Sequence, residues 1–408
     1  MILVSHPVGN QNVRALLSIL NNADLLHSFH TSLALHNTSF WCQCPGIGKE
    51  FGRRAFDDIE YSKLHSYPFL DISRLISNKL KLFALTKRNT GIFCPENVYD
   101  YIDAQSAEYL VSAKIKPTQI YGYDGKCRDL FKTAKSLGNI KLTYEAAFGS
   151  IAYAHEILKH ESDNNPEWIH SIPKLSQRTI QKQNEELELA DQIIVASKFA
   201  QRTLKPSSSA NKKTLVIPYG SQTIKPRKEL SNTKKGCLKV MYVGALTQQK
   251  GISYLFEALN IASKNVELKT VIIGDDYANG SNRLLNIELR KHTWLSSAPH
   301  QTVINHLLEA DILILPSLAE AFGLVVAEAL STGTTVIVSE NCGAADLITN
   351  GVNGYIVPIR SAQSIADILI DLSGNPEKLN FLKNNALQTS YGNTWEAYAK
   401  GLIDAIDY

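Results

Sequence analysis

DILILPSLAEAFGLVVAEAL, residues 311–330, is the stretch from which the rest of the chain can be read. Its apolar run Ile312 to Leu315 has the length of a strand buried on both faces, and Pro316-Ser317 ends it. A loop then carries Glu320 to Gly323. From Leu324 the pattern is helical: Val325, Val326, Ala329 and Leu330 recur at i, i+1, i+4 and i+5, with Glu328 on another face. Glu320 thus stands just before a helix start, and Glu328 lies roughly a turn and a half into the helix. A helix N-terminus offers unpaired N–H groups and a positive dipole end, so the amides of Ala321, Phe322, Gly323 and Leu324 are candidates to hold a phosphate. Gly323 lets that backbone come close to a ligand.

The setting PSLxExFGLxxxEAxxxG resembles the E-x7-E signature of retaining glycosyltransferases of family 4. The resemblance covers roughly residues 236–390, and more faintly the whole chain. It implies an α/β GT-B fold: two Rossmann-like domains facing across a cleft, with the C-terminal helix crossing back to the first domain. The boundaries it suggests are an acceptor-side domain over 1–219, a linker over 220–236 and a nucleotide-sugar-binding domain over 237–392, with 393–408 packing on the first domain. Glu320 would then bind donor-sugar hydroxyls and balance developing positive charge, and Glu328 would accept hydrogen bonds from ribose hydroxyls.

Composition fits this reading. At 408 residues the chain is long enough for two domains, and 44% hydrophobic with 20% charged residues is ordinary for a globular protein. A net charge of +3 argues for no nucleic-acid partner. Cys42, Cys44, Cys94, Cys127, Cys237 and Cys342 form no C-x2-C pair, so neither a zinc site nor a disulfide framework is indicated. MILVSHPVGN lacks the features of a signal peptide and no run is long enough to span a membrane, so we expect a cytoplasmic protein, with peripheral membrane contact open.

In chain order, Met1–Ser5 reads as a strand, HPVGNQN as a turn and Val13–Leu26 as a helix. By the resemblance Gly9 and Asn10 line the cleft; plain turn chemistry explains them equally well. Arg53-Arg54 is a solvated pair or a contact for an anionic acceptor or lipid headgroup. QIYGYDG, CRDLFKTAKSLG and IKLTYE give strand, helix ending at Gly138, and strand. Glu145 closes that last strand, where open α/β sheets meet their ligands. Relatives carry a histidine in this region, so Glu145 either hydrogen-bonds the acceptor or a donor-sugar hydroxyl, or supports a neighbour that does. Pro173–Ala190 is a polar helical segment, Ser197 is a helix N-cap, and 220–236 is the linker.

The second domain opens with LKVMYVGALTQQKGISYLFEAL, a strand into Gly244 and a helix after Gly251. The family places an arginine after that first glycine and a lysine five positions on, both facing the donor diphosphate. Lys250 fits the lysine, but Ala245 stands where the arginine belongs. Gly274 ends the next strand and would leave room for the nucleotide. Asp275-Asp276 reads as a turn or cap, and no bound metal is expected. About five strand–helix alternations over 238–360 predict a mainly parallel sheet.

The expected function is retaining transfer of a sugar from a UDP- or GDP-sugar to a glycan or lipid-linked acceptor, with bacterial surface polysaccharide as the setting suggested by relatives. The expected catalytic residues are Glu320, Lys250 and Glu145; Gly9, Asn10, Gly244, Gly274, Ala321–Leu324 and Glu328 would bind the donor. Two other readings stay open: a GT-B sugar-nucleotide epimerase, and a weakened partner subunit, which Ala245 suggests. A dinucleotide dehydrogenase is disfavoured because no G-x-G-x-x-G follows a strand.

Overall fold

The opening run Ile2–Ser5 forms β1, buried at every position. It is an inner strand, between β2 and β4, of a seven-stranded sheet ordered β3-β2-β1-β4-β5-β6-β7. The other strands are β2 (Leu26–Thr31), β3 (Leu64–Ser66), β4 (Gln119–Tyr123), β5 (Lys141–Glu145), β6 (Gln192–Val195) and β7 (Lys213–Val216). A second sheet, ordered β10-β9-β8-β11-β12-β13, is built from β8 (Cys237–Val243), β9 (Glu267–Ile273), β10 (Thr293–Leu295), β11 (Ile312–Leu315), β12 (Thr335–Ser339) and β13 (Gly354–Val357). Every neighbouring pair is parallel. Parallel strands need crossovers, and the helices that provide them cover both faces, which is why ILIL and TVIVS are apolar without alternation. This is a computed structural model, and it describes every residue except 37, 40, 41, 43–51, 53, 205–211, 223, 225–235, 407 and 408. Cys44, Arg53 and most of the 220–236 stretch therefore lie outside the described residues.

The first helix is shorter than its periodicity suggests. It runs Gln11–Asn22, not Val13–Leu26. Asn21 and Asn22 are weak helix formers, Asp24 turns the chain at φ 54, and Leu26 already belongs to β2. β2 itself, LHSFHT, has no strand signature because its buried positions are partly polar. Ser28 Oγ meets His30 Nε2 at 3.1 Å, and Thr31 Oγ1 donates to the Pro7 carbonyl at 3.0 Å. The polar segment Pro173–Ala190 is helical only over Gln177–Leu189, where the Ser176 hydroxyl accepts from the Thr179 N–H at 3.2 Å.

The Trp395–Ile406 helix returns to the first sheet. Tyr398, Leu402 and Ile406 share a core with Leu16, Leu17 and Leu20 of the Gln11–Asn22 helix. Glu145 lies at the heart of this junction. Its Oε1 accepts from Asn12 Nδ2 (2.9 Å) and the Tyr219 hydroxyl (2.6 Å), and its Oε2 from the hydroxyls of Tyr121 (2.6 Å) and Tyr398 (3.5 Å). One carboxylate thus ties the first helix, β4, the exit from the first sheet and the C-terminal helix together.

A second carboxylate joins the two halves. Glu161, at the end of the Ile151–Asn164 helix, is fully buried. It accepts from Arg360 Nε (2.6 Å), Gln248 Nε2 (2.7 Å), the Tyr254 hydroxyl (3.0 Å) and Asn165 Nδ2 (2.8 Å). Arg360, Gln248 and Tyr254 all come from the second half of the chain.

Candidate functional site

The site is built where the C-terminal ends of β8 and β11 meet. After β8 the chain makes a short 3-10 turn, Gln248–Lys250, and enters the Ile252–Ala262 helix through Gly251. Gly251 has φ 71, and a Cβ there would lie 2.0 Å from the Pro316 carbonyl oxygen, so only glycine lets the two loops close. The Gln249 carbonyl accepts from the Leu318 N–H (2.8 Å), and Gln249 Nε2 donates to the Ala319 carbonyl (3.1 Å). These contacts deliver Lys250 to Glu320, and Lys250 Nζ donates to Glu320 Oε2. Burial brings the Lys250 ammonium down to about 8, with the nearby Cys342 pulling the other way.

Glu320 is fixed by backbone on both sides. Its N–H donates to the Asn341 carbonyl (3.0 Å), and its carbonyl accepts from Gly343 (2.8 Å). Gly323, at φ 91, then starts the Leu324–Ser331 helix. Its Cβ would press on Cys342 Sγ and Leu315 Cδ2, each at 3.1 Å. The N–H groups of Ala321, Phe322, Gly323 and Leu324 have no recorded partner among the described residues. The side chains of Ala321 and Phe322 are buried against the first domain. Ser197 Oγ caps the Lys198–Leu204 helix by accepting from Ala200 (3.0 Å) and donates across to the Ala321 carbonyl (2.6 Å). The Phe322 ring meets Tyr219 edge-on at 5.4 Å. Glu328, one face round, pairs with His300 Nε2 at 3.0 Å through Oε1. His300, at the start of the His300–Leu307 helix, has no counterpart in the sequence reading.

Gly244 and Gly274 are brought together, but by each other. A Cβ on Gly274 would lie 1.8 Å from the Gly244 carbonyl oxygen. The two glycines let the ends of β8 and β9 touch, a backbone need that is satisfied without any nucleotide. Ala245, beside them, is exposed, and its carbonyl accepts from the Tyr242 hydroxyl at 2.9 Å. Asp276 takes the turn role, accepting from the Ala278 (2.8 Å) and Gly280 (2.6 Å) N–H groups.

Three first-domain candidates are held by contacts within the protein. Glu145 is only 1% exposed, with both oxygens occupied as described; its position at a strand end was legible, its burial under the returning C-terminal helix was not. Burial raises its pKa, and its hydrogen bonds from Tyr121, Tyr219 and Asn12 work against that. Gly9 is packed against Phe56, whose Cζ would lie 2.4 Å from an added Cβ, and its carbonyl accepts from Arg14 Nε at 2.9 Å. Arg54 donates to Asp71 Oδ2 at 3.0 Å. Asn10, exposed, precedes the Gln11–Asn22 helix without a side-chain cap bond.

The sequence reading passed over the loop after β4. Glu186 accepts from the N–H groups of Gly125 (2.6 Å) and Cys127 (3.0 Å), and Asp103 from those of Asp129 and Leu130 (3.0 Å each). Burial pushes the Glu186 carboxyl up to about 7 against the pull of Lys182. The loop so held presents Lys126, which has no hydrogen-bond or ion-pair partner among the described residues; its ammonium lies 5.7 Å over the Tyr99 ring. Lys126 lines a cavity of about 280 Å³ together with Tyr99, Asp124, Phe148, Leu175 and Gln249. Gln249 connects that cavity to Lys250.

Among the solved structures that match over the whole chain are two with named relatives of this fold. Sucrose-phosphate synthase from Thermosynechococcus elongatus superposes with a TM-score of 0.68 at 18% identity, over 100% of this chain and 98% of that one. HepE of Anabaena, solved with UDP and glucose, gives 0.62 at 15% identity over 100% and 99%. The fold is GT-B. Residues 222–389, most of the second GT-B domain, match the family described as glycosyl transferases group 1. The chain spans about half the length of the curated relatives it matches. An uncharacterized glycosyltransferase of Methanocaldococcus jannaschii is 32% identical over 173 residues, 40% of this chain and 43% of the relative. The amylovoran biosynthesis glycosyltransferase AmsK of Erwinia amylovora is 28% identical over 191 residues, 44% and 47%. In GT-B terms, Lys250, Glu320 and the start of the Leu324–Ser331 helix stand at the strand ends of the second domain, and the Lys126 cavity faces them from the first.

Proposed function

We propose that the chain is a retaining glycosyltransferase that moves a sugar from a UDP- or GDP-sugar to a glycan or lipid-linked acceptor, in the assembly of a surface polysaccharide. The observation that carries it is the contact between Lys250 and Glu320 beside an unpaired helix N-terminus. A diphosphate is a good leaving group only where its growing charge is met. Lys250 and the amides of Ala321–Leu324 meet it, and a lysine ammonium has three donors, enough for Glu320 and a phosphate together. Glu320 takes donor-sugar hydroxyls and balances charge at the anomeric carbon. Glu328 Oε2, not engaged by His300, accepts from a ribose hydroxyl. The acceptor enters through the Lys126 cavity. No second carboxylate stands beside Glu320 to act as a nucleophile among the described residues, which favours return of the acceptor on the face the diphosphate leaves. In that step the sugar–phosphate bond breaks, the acceptor oxygen bonds the anomeric carbon, and its proton passes to the departing phosphate oxygen.

The test is release of nucleoside diphosphate from a panel of sugar nucleotides, without acceptor and then with lipid-linked or short glycan acceptors. Acceptor-dependent turnover of one donor supports the transferase. Turnover of sugar nucleotide without any acceptor and without a glycoside product points to epimerase or hydrolase chemistry. The exposed Ala245 favours a second reading, a partner subunit with weakened chemistry. Ala245→Arg separates the two: it raises turnover in a weakened enzyme and leaves a binding subunit inert.

A further inference from the structure

We propose that the face formed by residues 69–92 docks on an anionic lipid surface. The segment is the Phe69–Lys79 helix, a turn, and the short Phe83–Thr86 helix. Phe69, Ile76, Leu80, Leu82, Phe83 and Ile92 are each between 48% and 66% exposed. Phe69, Ile76 and Leu80 fall at i, i+7 and i+11, one stripe of the helix. These side chains are not loose: Leu82 N–H bonds the Ser77 carbonyl (2.8 Å), Phe93 N–H the Leu85 carbonyl (2.8 Å), and Thr86 Oγ1 the Asn78 side chain (2.7 Å). An ordered scaffold holds large apolar groups in water, and a patch of this kind marks an interaction surface.

Charge says which. Lys79, Lys81, Lys87 and Arg88 flank the apolar groups and are exposed. The one acid in the segment, Asp71, is buried and taken by Arg54 and Arg74. Apolar side chains that enter the acyl boundary, ringed by cations at headgroup level, match a bilayer of anionic lipids. A second copy of the same face would set these lysines against each other. Among the described residues no helix is long and apolar enough to cross a membrane, so the contact is one of lying on the surface. Arg88 also lines the mouth of the Lys126 cavity, which would open beside the lipid.

The test is co-sedimentation of the full chain with phosphatidylcholine vesicles, with and without phosphatidylglycerol, in low and high salt. No sugar nucleotide is present, so its outcome is independent of the transfer reaction. Binding is expected only with phosphatidylglycerol, weakened by salt. Lys79→Glu with Lys81→Glu should lower the vesicle partition at least about 30-fold, and Leu80→Glu with Phe83→Glu should abolish it. All four positions are exposed, and unchanged thermal unfolding confirms that each variant folds. Equal sedimentation with and without phosphatidylglycerol overturns the proposal, as does binding untouched by either variant. A dimer on size exclusion that Leu80→Glu with Phe83→Glu converts to monomer assigns the face to self-association instead.

Discussion

Lys250 gains its role from neighbours that are distant in sequence. It lies 70 residues before Glu320, and the two meet because Gly251 lets one loop close on the other. Removing a donor aimed at developing charge costs about 100- to 1000-fold in turnover, so Lys250→Ala should lower diphosphate release by that factor. Glu186 invites a different test. Its folded pKa of about 7 lies above the value of an unfolded glutamate, so the native state binds the extra proton. The stability contributed by that proton is complete below about pH 4.5 and is lost as pH rises toward 7. Urea unfolding at pH 5 and pH 8 should show the wild type losing more stability across this interval than Glu186→Gln. At this scale the sequence was partly legible. Glu320, Glu328 and Lys250 stood in a recognisable setting. Glu186 did not, because the buried stripe of its helix, Lys182, Gln183, Glu186 and Leu187, is mostly polar and hydrophobic periodicity does not see it.

Elements were readable where burial and composition agree. ILIL and TVIVS declare parallel strands because both faces are covered by helices. β2 escaped notice because its buried Ser28, His30 and Thr31 satisfy one another and the Pro7 carbonyl instead of alternating with apolar residues. The glycines show a similar limit. Gly244 and Gly274 were visible as backbone needs, but the need is the approach of β8 to β9. Gly251 combines a positive φ with a close backbone contact at the site. Gly251→Ala must place a Cβ against the Pro316 carbonyl at positive φ, and should cost roughly 1–3 kcal/mol or more in unfolding free energy. Because the same turn carries Lys250, turnover in this variant should fall beyond what its lost stability explains.

The whole molecule is held closed by groups that no local pattern announces. Glu161 from the first domain is buried among Arg360, Gln248 and Tyr254 of the second, and Phe322 of the second packs in the core of the first. Two α/β domains could be read from the strand–helix alternation; the carboxylate that joins them could not, since Glu161 and Arg360 are 199 residues apart. Removing one partner of a buried pair costs about 3–5 kcal/mol. Glu161→Ala should therefore open the cleft, seen as a larger radius of gyration in small-angle scattering, and Glu161→Ala with Arg360→Ala should cost less than the sum of the two. Closure matters for transfer because water competes with the acceptor for the activated sugar. The measurement that tests the central claim most directly is a proton NMR time course of the glycoside formed from the donor that turns over. The account predicts a first-formed product whose anomeric proton shows the configuration of the donor. A product of inverted configuration, or consumption of the donor with no glycoside formed, would contradict it.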